Sequence, residues 1–204
     1  MEGILFLWVS WGLWIYTTFM MGKNEKGRFK YSFILLCMIC LFPYHVTLFS
    51  YEVYATYIFL VVLTFIYIRL LGLRQKLYML ICILTVAMSY AGIGLIAIYD
   101  PVLMIIESHL ISALLSMSIG FIFYSTIKKM KILFLAVLAG TMAGEVLLNV
   151  TLNKIGFGES IGSHLYLDMT ACMALITITW KIIHAMNGLM SSKLSPNKGE
   201  IKNL

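Results

Sequence analysis

Three acidic side chains, Glu107, Glu145 and Asp168, stand inside stretches that are otherwise built of apolar residues. An ionised group in a membrane interior costs about 2.5–3.5 kcal/mol on insertion scales, so such a group faces protein or a wet cavity. Spacing narrows the choice. Thr141, Glu145 and Asn149 recur every four residues and form one polar stripe on a helix. Beside it, Ala136, Gly140 and Gly144 make a small-xxx-small row on which a second helix can pack closely. The Glu145 side of this helix is therefore expected to face protein. His164 and Asp168 are also four apart and can pair along one helix face. His109, Ser112, Ala113, Ser116 and Gly120 form a third seam of polar and small residues. Glu107 lies two residues from His109, hence on nearly the opposite side of its helix.

Carboxylates and imidazoles gathered in one half of a bilayer suit the binding or transport of a small polar ligand or a lipid headgroup. The expected site is a pocket opening outward among the last three spans, lined by Glu145, Asp168, His164, His109, Asn149 and Glu107. Two alternatives use the same residues. The acids can simply fasten the bundle of an accessory or assembly protein, or they can serve a membrane-embedded lipid hydrolase or transferase. No HExxH or HxxxH ligand pair occurs, so no metal site is assigned. Cys37 and Cys40 match CxxC, but mid-bilayer, away from the helix start that would stabilise a thiolate. The segment GFGESIG (156–162) follows no strand and lacks the GxGxxG spacing. No nucleophile elbow is present either, and neither a catalytic residue nor a cofactor is assigned.

The elements that hold these groups follow from composition. Apolar residues make up 61% of 204 positions and charged residues 12%, too little polar surface for a soluble domain of this length. A helix needs about 20 apolar residues to cross the hydrocarbon core. On that scale the chain divides into seven spans over residues 3–21, 31–49, 53–71, 77–98, 102–124, 132–152 and 164–184. The expected fold is all-α: one polytopic helical membrane domain over 1–190, followed by a disordered cytoplasmic tail over 191–204. Glu2 replaces the basic start of a cleavable leader, so none is expected.

Orientation follows from the loops. Lys23, Lys26, Arg28 and Lys30, then Arg69, Arg74 and Lys76, then Lys128, Lys129 and Lys131, then Lys181, Lys193, Lys198 and Lys202 share one side. Of fifteen basic residues only Lys154 falls opposite, which predicts an outside N-terminus and a cytoplasmic C-terminus. The same asymmetry accounts for the net charge of +6 without nucleic acid as a partner. Glu145 then lies about 20 Å from the cytoplasmic start of its span, and Glu107 and Asp168 about 8 Å from the outer boundary. His45 occupies the same outer half.

The opening stretch MEGILFLWVSWGLWIYTTFMM, with the short basic loop after it, resembles the start of the bacterial YphA-type integral membrane proteins. Length and span number are similar as well. The resemblance implies a multi-pass protein of a bacterial plasma membrane and carries no activity or site residue with it.

Overall fold

Long apolar runs without proline propagate as helix, because in lipid every backbone group must find its partner within the segment. A computed structural model describes all residues except 1, 23, 24, 26, 49, 50, 101, 103–106, 125–129, 158, 159 and 195–204. The described residues form seven α-helices: α1 (Ile4–Ile15), α2 (Arg28–Leu41), α3 (Ala55–Arg69), α4 (Leu73–Tyr99), α5 (Ser108–Phe123), α6 (Met130–Lys154) and α7 (His164–Leu194). Three carry stretches long and apolar enough to cross a membrane: Leu73–Tyr99, Met130–Lys154 and His164–Asn187. The others are shorter. α1 runs on into a π-helical turn, Tyr16–Met20, whose Thr17 and Thr18 carbonyls accept from the Arg28 guanidinium. A cation at a helix C-terminus satisfies its orphan carbonyls.

One expectation is corrected. The second span was expected to run to residue 49, but α2 stops at Leu41 and a β-hairpin follows, β1 (His45–Leu48) paired antiparallel with β2 (Tyr51–Tyr54). The fold is thus not purely α-helical. Pro43 lacks an N–H and clashes with the preceding helical turn, which ends α2. The β-branched and aromatic residues beyond it favour a pleated strand. Tyr54 N–H donates to the Ile161 carbonyl (3.1 Å) and Ile161 N–H to the Glu52 carbonyl (2.8 Å), so part of the hairpin edge is paired. Two boundaries also move. α5 begins at Ser108, which leaves Glu107 exposed at its N-cap rather than inside a span. α7 continues to Leu194, into the stretch expected to be a tail, while 195–204 lie outside the described residues. Lys23, Lys26, Lys128, Lys129, Glu159, Lys198 and Lys202 likewise lie outside them.

The core is the packing of α4 on α6, with α5 and α7 against it. Gly140 and Gly144 make this approach possible. A Cβ on Gly140 would lie 2.6 Å from the Val86 Cβ, and one on Gly144 2.9 Å from the Ala87 carbonyl. The third seam also faces inward: Ser112, Ala113, Ser116 and Gly120 are buried. Large apolar side chains such as Trp8, Phe65, Leu84 and Ile122 instead cover the outer surface. Exposed hydroxyls there, Thr85, Ser89, Ser118 and Thr151, donate to carbonyls four residues back in their own helices. That pattern suits lipid, which offers them no other acceptor.

The two ends of the bundle differ. Lys30 lies 5.3 Å from the Tyr67 ring, Lys76 Nζ donates to the Arg69 carbonyl, and Tyr78 donates to the Phe123 carbonyl. These contacts gather the starts of α2 and α4 and the ends of α3 and α5 into one basic end. The hairpin, the start of α1 and the start of α7 meet at the other, where Phe42 stacks on Phe6 and His164.

Candidate functional site

Glu145 is 5% exposed, and both of its oxygens are engaged. Tyr90 of α4 donates to Oε2 (2.5 Å), and the backbone N–H of Gly162 donates to Oε1 (3.2 Å). Gly162 belongs to the segment before α7 and has φ +71°, a conformation in which glycine is favoured. A Cβ there would also collide with the Tyr57 side chain. This segment therefore folds down onto the bundle, and Glu145 anchors it. α6 extends well past Glu145, and the loop before α7 reaches in to meet it.

The rest of the polar stripe continues this cluster. Asn149 Nδ2 donates to the Glu145 carbonyl (3.0 Å), while Asn149 Oδ1 is buried without a partner. The Thr141 hydroxyl lies 3.3 Å from that of Tyr166, and Tyr57 donates to the Met142 carbonyl (2.9 Å). The rings of Tyr57 and Tyr90 pack against Tyr166 at 5.5 and 6.3 Å. Sequence spacing identified Glu145, Thr141 and Asn149 but missed the three tyrosines. They come from α3, α4 and α7, and no spacing rule links residues on separate helices.

Asp168 does different work. Its Oδ2 accepts from Gly3 N–H (2.7 Å) and its Oδ1 from Phe6 N–H (2.8 Å). Gly3 is the N-cap of α1 and has no side chain to cap the helix itself. Asp168 supplies that cap from α7, and its negative charge also complements the positive end of the helix dipole. The expected His164–Asp168 pair is not formed. His164 instead lies between Phe42 (4.5 Å) and Tyr54 (4.6 Å), with a buried Nδ1 that has no partner. The Tyr90 and Gly162 bonds of Glu145 and the Gly3 and Phe6 bonds of Asp168 go to different elements, and Glu107 stands apart at the α5 N-cap. His109 is half-buried on the first turn of α5. Among the described residues, no three His, Cys, Asp or Glu side chains converge as metal ligands would.

A separate cavity of about 740 Å³ opens between α1, α2, α3, α6 and α7, a volume in the range of ligand-binding sites. Its walls are mostly aliphatic and aromatic, for example Leu13, Leu35, Met38, Leu63 and Leu135. Two of its wall hydroxyls are already used: Thr170 donates to the Leu167 carbonyl and Thr177 to the Met173 carbonyl. At the basic end its lining includes Tyr31, Tyr67, Lys131 and Lys181. Sequence reasoning did not find this cavity. The one available signal was the row Thr170, Ala174, Thr177 and Lys181, small and polar residues at three- and four-residue steps on α7.

A family model described as YphA-like integral membrane protein matches residues 2–203. The chain is similar to a Bacillus subtilis (strain 168) protein described as "Uncharacterized protein YphA", 27% identical over 203 residues and covering 99% of each chain. No solved structure matches. A family match over nearly the whole length agrees with the lipid-facing surface of the bundle, and the chain belongs to the YphA-like integral membrane protein family.

Proposed function

We infer that this protein binds a lipid, whose acyl part enters the cavity between α1, α2, α3, α6 and α7. The observation that carries this reading is the cavity itself: about 740 Å³, largely apolar, and built into a protein that sits in lipid. The accompanying topology is seven spans in a plasma membrane, with the basic end in the cytoplasm and the hairpin end outside. Fourteen of fifteen basic residues on one side support it. The shorter helices need only modest bilayer adjustment to span. On this reading Glu145 and Asp168 are fastenings, since each holds backbone or tyrosine donors from another segment. Phospholipid quantified in protein purified in a mild detergent tests the reading. About one tightly held lipid per chain is expected, reduced several-fold by Ala174→Phe, which projects a ring into the cavity. A folded wild-type protein that retains no lipid sinks it.

A second reading keeps the polar cluster as a site for a small polar ligand, with Glu145 and Asn149 as candidate contacts and His164 as a separate one. The buried, unpartnered Asn149 Oδ1 and His164 Nδ1 favour it, because such atoms cost about 1–3 kcal/mol each when left alone. Glu145→Gln separates the two readings. A stable variant that fully complements a deletion strain supports fastening, and a folded but inactive one supports the ligand site.

A further inference from the structure

We propose that the lipid is an anionic glycerophospholipid of the cytoplasmic leaflet, its phosphate held by Lys131 and Lys181 at the basic end of the cavity. This rests on the lipid-binding reading above and goes on to name the headgroup and the leaflet. Both lysines line the cavity, and no lining residue is acidic. Among the described residues neither lysine has a carboxylate partner. Each side chain can lay its aliphatic stem along the apolar wall and carry its ammonium to the interface. The ring of Tyr67 sits at the same end, with the Lys30 ammonium over it, which adds a third positive charge nearby.

Depth agrees with a single leaflet. Along α7 the lining runs from Thr170 to Lys181. At 1.5 Å per residue this stretch is about 16 Å long. One leaflet of a typical hydrocarbon core is about 15 Å thick. An acyl chain can therefore fill the cavity while its headgroup stays level with the lysines. A zwitterionic lipid would fit the apolar part equally well but would gain little from the two charges.

The test is a competition on the full-length protein in detergent, read by native mass spectrometry. The probes are equal amounts of phosphatidylglycerol and phosphatidylcholine with identical acyl chains. A lysine near an anionic headgroup contributes about a five-fold preference, so the two together predict about twenty-five-fold for phosphatidylglycerol. The double change Lys131→Gln and Lys181→Gln should level the two lipids and leave total binding in place. Arg74→Gln, which removes one charge outside the cavity lining, should leave the preference intact. Ala174→Phe should remove both lipids. A wild-type protein without preference, or one whose preference falls as far with Arg74→Gln, overturns the proposal while the lipid-binding reading stands. Folded Ala174→Phe and Leu135→Trp variants that bind normally overturn that reading as well. Should both variants fail to fold, phosphatidylglycerol with a photoactivatable chain decides the matter on the wild type. Crosslinks to Leu135, Ala174 or Ile178 support the proposal, and crosslinks confined to the lipid-facing surface overturn it.

Discussion

Glu145 and Asp168 show how one residue type answers two different needs. Each carboxylate accepts two hydrogen bonds, but Glu145 takes them from Tyr90 and the loop at Gly162, and Asp168 from the first turn of α1. Glu145→Ala would leave both donors buried and unpaired, at about 1–3 kcal/mol each. A loss of about 2–6 kcal/mol is expected in denaturant titrations of the detergent-solubilised protein. Glu145→Gln retains an acceptor for Gly162 and should lose less than half of that. Asp168→Ala removes a cap, for which about 1–2 kcal/mol is typical. Its effect should be local: hydrogen exchange should rise at Ile4 to Leu7 while the α4–α6 core keeps its protection. Uniform loss of protection along the chain would contradict the capping role. Spacing on single helices made both acids legible. Their partners were not, since they come from segments 17, 55 and more than 160 residues away.

Among the elements, α6 is the one whose sequence was most informative. Its small-residue row predicted close packing, and α4 is the helix that takes it, with Gly140 against Val86 and Gly144 against Tyr90 and Ala87. Gly140→Leu or Gly144→Leu should lower the thermal midpoint in detergent by several degrees at least, because neither Val86 nor the Ala87 backbone can move aside cheaply. An unchanged midpoint for both would place that face against lipid. Hydropathy was a poorer guide between residues 42 and 54. Apolar β-formers after Pro43 read as membrane span, yet they pair as a hairpin and dock on Ile161. Hydropathy measures how greasy a segment is, not which hydrogen bonds its backbone makes. Only a tertiary partner distinguishes a short apolar strand from the end of a helix.

At the scale of the whole molecule, the charge asymmetry gives a topology that labelling can test. In a background without native cysteines, Arg74→Cys should react with a membrane-impermeant maleimide only from the cytoplasmic face, and Lys154→Cys only from outside. Reaction of both from the same face would overturn the seven-span arrangement. The cavity belongs to this scale too, since five helices enclose it.

Membrane residence, most helix boundaries, the glycine face and the polar stripe through Glu145 were written in the sequence. Each arises from a local rule: hydrocarbon thickness, helical period, or the cost of charge in lipid. Tertiary structure alone decided what the acids hold, that Glu107 stays outside its helix, and that His45–Leu48 pairs with Tyr51–Tyr54. It also decided that a cavity of about 740 Å³ lies beside α2, a helix with no fully buried residue. The physical reason is the same in every case. A hydrogen bond between distant segments, or a gap between five helices, depends on how whole elements stack, and that is a property of the packed bundle rather than of any stretch within it.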